Sequence, residues 1–149
     1  MTREIQHTVD IDAPPAVVWE QLADTAAYAR WNPFVRRLSG KLTAGATLTV
    51  TIAPPGGRAM TFKATVLVSE VDRELRWLGR FLVPGLFDGE HSFRLEELPG
   101  GRTRLIQAER FRGLLVGLSR GTLENTRIGF EQMNRALKQR AEAAVARAS

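Results

Sequence analysis

The stretch TLENTRIGFEQMNRALKQRAEAAVA, residues 122–146, decides the architecture. Its apolar positions Leu123, Phe130, Met133, Leu137, Ala141 and Ala144 recur at steps of three, four or seven, the spacing of a helix with one buried stripe. Arg127, Glu131, Arg135, Lys138 and Glu142 fall on the other faces. A helix of that length spans about 37 Å at 1.5 Å per residue. It needs a partner of similar length.

The partner lies upstream, where the pattern alternates with period two. Residues 4–12 place Ile5, His7, Val9 and Ile11 on one face. Ala13-Pro14-Pro15 ends that strand, and Pro15 suits the first turn of a helix over AVVWEQLAD. A second short helical turn carries TAAYARW and stops at Pro33. Strands follow at about 35–42, 46–53, 59–71, 74–82, 88–98 and 101–112, each bounded by a turn signal such as Asp72-Arg73 or Pro99-Gly100-Gly101. The order predicts an α+β fold with a seven-strand antiparallel sheet, one apolar face of which the terminal helix covers. We expect one domain, residues 1–149, with no linker or repeat.

Composition narrows the function classes. The chain has no cysteine, which excludes thiolate chemistry and sulfur-ligated metals. Its N-terminus is too polar for a signal peptide, and no apolar run reaches membrane-spanning length, so a cytoplasmic protein without an integral membrane segment is expected. The formal charge of +5 comes from scattered arginines with few interleaved aromatics, so no nucleic-acid partner is expected. Residues 117–121, GLSRG, match the G-x-S-x-G of serine hydrolases, but no histidine follows Ser119; we read the segment as a loop feeding the last helix. PPGGR, residues 54–58, lacks the Lys-Ser/Thr ending of a phosphate loop. Neither a cofactor nor a metal is implied, and no feature specifies an oligomeric state.

Hairpin parity selects the candidate site. A two-residue loop at Asp72-Arg73 would set Val68 opposite Trp77, Val66 opposite Gly79 and Ala64 opposite Phe81 on the inner face, with Met60 and Phe62 continuing it. A three-residue loop at Pro99-Gly100-Gly101 sets Leu95 opposite Leu105, Phe93 opposite Gln107, His91 opposite Glu109 and Gly89 opposite Phe111. His91, Gln107 and Glu109 then cluster at one end of an apolar face, and His7 shares the inward parity of the first strand. An imidazole and a carboxylate are costly to bury apart and can bond when opposed. Three readings stand. The pair is structural, or it orients a ligand, or His91 and Glu109 act as a catalytic acid–base pair. A metal site using His7 as well ranks below these. Gly79 and Gly89 are expected to leave open volume beside His91, and Arg36, sharing parity with Leu38, is a candidate partner for an acidic ligand group.

The segments IDAPPAVVWEQLADTAAYARWNPF (11–34), PGLFDGEHSFRLEE (84–97), ERFRGLL (109–115) and GFEQMNRALKQRAE (129–142) resemble the START-like SRPBCC superfamily, in particular its polyketide cyclase/dehydratase branch. The resemblance covers essentially the whole chain. It implies the helix-grip fold: a seven-strand sheet wrapped around the C-terminal helix, enclosing a hydrophobic cavity. Trp31 and Phe34 would then stand near the cavity mouth. Met60, Phe62, Trp77, Phe93 and Phe111 would line its sheet side, and Phe130, Met133, Asn134 and Leu137 its helix side. The implied function is binding of a small hydrophobic molecule, lipid-, polyketide- or aromatic-like; on the parity reading above, His91, Glu109 and Asn134 would orient it by hydrogen bonding, with Gln107 and Gly79 also lining the ligand site. The alternative is a cyclase or dehydratase that uses His91 and Glu109.

Overall fold

A computed structural model of the chain describes residues 2–81, 87–113 and 120–148. The elements are β1 (Thr2–Ile11), α1 (Pro15–Ala23), a 3-10 turn (Thr25–Ala27), α2 (Tyr28–Trp31), β2 (Val35–Ser39), β3 (Thr47–Ile52), β4 (Met60–Glu70), β5 (Glu74–Phe81), β6 (Phe87–Leu98), β7 (Arg102–Arg112) and α3 (Arg120–Ala148). Every strand pairs antiparallel with its neighbours in the order β1-β7-β6-β5-β4-β3-β2. The sheet curls around α3, which is the helix-grip arrangement. Of GLSRG, residues 117–119 lie outside the described residues, and Arg120 and Gly121 already belong to α3.

Local chemistry sets the elements. Pro15 stands at the start of α1, where a missing N–H costs nothing. Tyr28, fully buried, donates its hydroxyl proton to the Leu22 carbonyl, and burial pushes its ionisation above the usual tyrosine range. Asn32 Oδ1 accepts from the backbone N–H of Phe34 (3.0 Å) and Val35 (2.9 Å), which turns the chain from α2 into β2. At the other end, Lys138 Nζ donates to Asp10 O at 2.8 Å, and Asp12 N donates to Glu142 Oε2 at 2.8 Å, fastening α3 to β1. The core lies between the inner sheet face, including Ile11, Leu48, Val50, Val66, Trp77 and Phe93, and the α3 stripe Phe130, Met133, Leu137 and Ala141.

The β6–β7 hairpin has the expected register throughout, from Gly89 opposite Phe111 to Leu98 opposite Arg102. The β4–β5 hairpin does not. Its loop holds three residues, Val71 to Arg73, because Asp72 adopts φ 66°, a left-handed conformation that aspartate tolerates. An irregularity between Val66 and Val68 then shifts the pairing. Val66 opposes Trp77, Ala64 opposes Gly79, and Val68 opposes Arg76 on the outer face. Phe62, Trp77 and Gly79 keep their inward parity.

Candidate functional site

Five polar side chains form a hydrogen-bonded chain through the interior. Glu109 Oε1 lies 2.9 Å from His91 Nδ1, and His91 Nε2 lies 2.9 Å from Gln107 Oε1. Gln107 Nε2 donates to Asn134 Oδ1 at 2.7 Å. Asn134 Nδ2 reaches both His7 Nδ1 (2.9 Å) and the His7 carbonyl (3.1 Å). The β1–β7 register sets His7 opposite Gln107, and the helical stripe brings Asn134 over both. Gln107 and Asn134 are 0% exposed, His91 3% and Glu109 8%.

Hydrogen-bond accounting gives this chain a direction. The His7 carbonyl can only accept, so the Asn134 atom facing it is the amide nitrogen. Asn134 Oδ1 then accepts from Gln107, Gln107 Oε1 faces His91, and His91 Nε2 must carry a hydrogen. One further proton lies on the line between His91 Nδ1 and Glu109 Oε1. His7 Nδ1 accepts from Asn134, so His7 is the neutral tautomer protonated at Nε2.

Burial, the largest effect on His7, holds its pKa below the ordinary 6.5; Glu131 opposes that shift, while Arg135 and Arg127 reinforce it. A base whose folded-state pKa is lowered binds fewer protons folded than unfolded. Its contribution to stability is therefore intact above about pH 6.5 and is lost as pH falls below that value. We expect the melting temperature to drop more between pH 7.5 and 5 in the wild type than in His7→Gln, whose amide oxygen still accepts from Asn134. Equal drops would remove His7 from the titration.

Aromatic rings enclose the imidazole. Trp77 stacks on it at 4.9 Å and 20°, Phe93 lies 4.8 Å away, and Phe130 meets it edge-on at 5.0 Å. The space left by the absent side chains of Gly79 and Gly89, expected to lie open beside His91, is taken up. A Cβ at Gly89 would lie 2.2 Å from Glu109 Oε2, and one at Gly79 would lie 2.8 Å from the Phe62 ring. Each glycine admits a neighbour's side chain. Phe111 packs with Leu123 and Ile5 beyond Glu109.

The other candidates sit farther off. Phe34 is buried edge-on against Phe130 at 5.5 Å, and Met133 is fully buried in the α3 stripe. Trp31 packs against Tyr28 at 5.4 Å and under Arg140 at 5.7 Å, nearly two helical turns along α3 from Asn134. Met60 is 41% exposed. Arg36 is not available to a ligand as expected: its guanidinium donates to the carbonyls of Asn32 (2.6 Å) and Ala29 (2.9 Å) at the end of α2. His7 is the member that sequence reasoning left unplaced; its inward parity was the signal, and the β1–β7 register was missing. Among the described residues no group of three His, Cys, Asp or Glu side chains could hold a metal, and no helix is long and apolar enough to cross a membrane.

The fold is similar to that of the Zhui aromatase/cyclase from Streptomyces sp. R1128, with a TM-score of 0.70 and 19% identity over 99% of this chain and 95% of that one. It is also similar to a START superfamily protein from Mycobacterium smegmatis (TM-score 0.74, 17% identity, 95% of this chain and 98% of that one). A third neighbour, the di-domain aromatase/cyclase StfQ from the steffimycin pathway, gives a TM-score of 0.77 at 12% identity; 98% of this chain matches 52% of that one. No curated protein matches the sequence significantly. The family described as "Polyketide cyclase / dehydrase and lipid transport" matches residues 2–142. With nearly the whole chain matched on a helix-grip fold, the protein belongs to that family.

Proposed function

We propose that the protein binds a small hydrophobic, ring-containing molecule between the inner face of the sheet and α3, beside the Glu109–His91 end of the polar chain. One observation carries this reading: a directional polar chain runs through a mostly apolar core, and its Glu109 end, at 8% exposed, is less buried than its middle. A buried ionisable pair is weak support for stability, because apolar replacements often do as well, so its presence here favours a role in recognition. Apolar burial supplies most of the affinity, at about 25 cal/mol per Å² before ordering costs. The likeness to two aromatase/cyclases is consistent with a ring-shaped occupant.

Native mass spectrometry of gently purified protein should retain a small molecule. Glu109→Leu should weaken binding of that molecule about tenfold or more, the scale of a hydrogen bond to a charged group. Unchanged binding in both Glu109→Leu and His91→Phe would end the orienting role.

Turnover is the second reading, favoured by the single proton held between His91 and Glu109. It predicts a pH–rate profile that collapses in His91→Ala while the protein stays folded. Both ring nitrogens of His91 are engaged, so direct proton exchange with a substrate would first have to break one of those bonds.

A further inference from the structure

We infer that Glu109, through Oε2, is the group that meets the ligand, and that the site selects apolar ring molecules bearing a hydroxyl or N–H donor over those bearing only acceptors. This rests on the binding reading above and narrows it, since on sequence alone His91 and Glu109 share the same orienting role.

The chain ends at Glu109, which is 8% exposed, and at the half-buried His7; its three middle members are 0–3% exposed. His91 has nothing to offer a ligand. Its Nδ1 faces Glu109, its Nε2 faces Gln107, and Trp77, Phe93 and Phe130 surround the ring. Glu109 differs. Oε1 is engaged with His91, while Oε2 stands over Gly89, in space that any Cβ there would take.

The proton count then fixes the character of Oε2. His91 Nε2 keeps its hydrogen for Gln107, because the His7 carbonyl sets that polarity through Asn134. The remaining proton sits on His91 Nδ1 or on Glu109 Oε1. In either arrangement Oε2 carries lone pairs and no hydrogen, so it accepts. A ligand hydroxyl satisfies it; a ligand ether or ketone sets acceptor against acceptor, which selects against that ligand. Asn134 and Gln107 are positioning residues, holding the polarity from a backbone atom on β1.

The test compares 2-naphthol with 2-methoxynaphthalene by calorimetry, alongside ¹⁵N NMR of the His91 ring. The wild type should bind the naphthol about tenfold or more tightly than the ether, and His91 should be protonated at Nε2. Glu109→Gln should keep the preference, since its amide can donate to His91 Nδ1 and leave its oxygen facing the ligand. Glu109→Met should lose it, as should Gly89→Ala, which displaces Oε2 while leaving Glu109 in place. Equal binding of the two probes by the wild type overturns this inference and leaves the binding reading standing. A neutral His91 tautomer with a bare Nε2 overturns the proton count and the inference with it. Failure of both probes to bind removes the binding reading as well.

Discussion

Replacing Gly129 by alanine is expected to destabilise the protein by about 1–3 kcal/mol, although glycine-to-alanine in a helix ordinarily gains about 1 kcal/mol. Gly129 lies on the buried side of α3, where an added Cβ would come within 2.4 Å of Phe34 Cδ1 and 2.8 Å of Cε1. The ring has little room to retreat. Phe34 is 1% exposed and already meets Phe130 edge-on at 5.5 Å. Its backbone is held as well, the N–H by Asn32 Oδ1 and the carbonyl by Ala53 N at 2.8 Å. Interiors are packed densely enough that this overlap outweighs the gain in propensity. Urea unfolding would measure the loss, and Phe34→Leu in the Gly129→Ala background should recover part of it. A more stable Gly129→Ala protein would mean that the ring moves aside freely. The effect reaches the site, because Phe130, the ring behind Phe34, also meets His91 edge-on at 5.0 Å.

Why some of this was legible in the sequence and some was not comes down to where each register is set. The β6–β7 hairpin closes over Pro99-Gly100-Gly101 and runs without a bulge, so counting from the turn places His91 opposite Glu109 and Phe93 opposite Gln107. The β4–β5 hairpin defeats the same count. The left-handed Asp72 and the irregularity near Val66 each move the register by one, and neither residue type demands that outcome. Helical period marks Asn134 as an amide on a buried stripe, yet its partners depend on how α3 lies across the sheet. The position of His7 depends on the pairing of β1 with β7, whose members are about a hundred residues apart in the chain. No turn counts that offset. The glycines were misread for a related reason: a missing Cβ shows that something approaches closely, but not whether a ligand, a ring or a carboxylate does so. Coordinates show a phenylalanine over Gly79 and a carboxylate over Gly89.

Substituting Gln107 by methionine should cost about 2–6 kcal/mol, since it leaves two buried groups unpaired at about 1–3 kcal/mol each. Gln107 is fully buried, accepts from His91 Nε2 at 2.9 Å and donates to Asn134 Oδ1 at 2.7 Å. Methionine matches its length and supplies neither bond, so the His91 N–H and the Asn134 carbonyl are stranded away from water. Asn134→Leu should be costly by the same logic, stranding the Gln107 amide and the His7 acceptors. The two losses should not add. In the double variant neither Gln107 nor Asn134 remains to be left unpaired, so the second substitution should cost about 1–3 kcal/mol less in the background of the first than alone. Urea unfolding of the four proteins in the cycle gives that coupling directly. A coupling near zero would mean that the side chains act independently, with water or relaxation satisfying each stranded group. In that case the polarity of His91 could not be set from β1, and the chain from Glu109 to His7 would be five neighbours and not one unit.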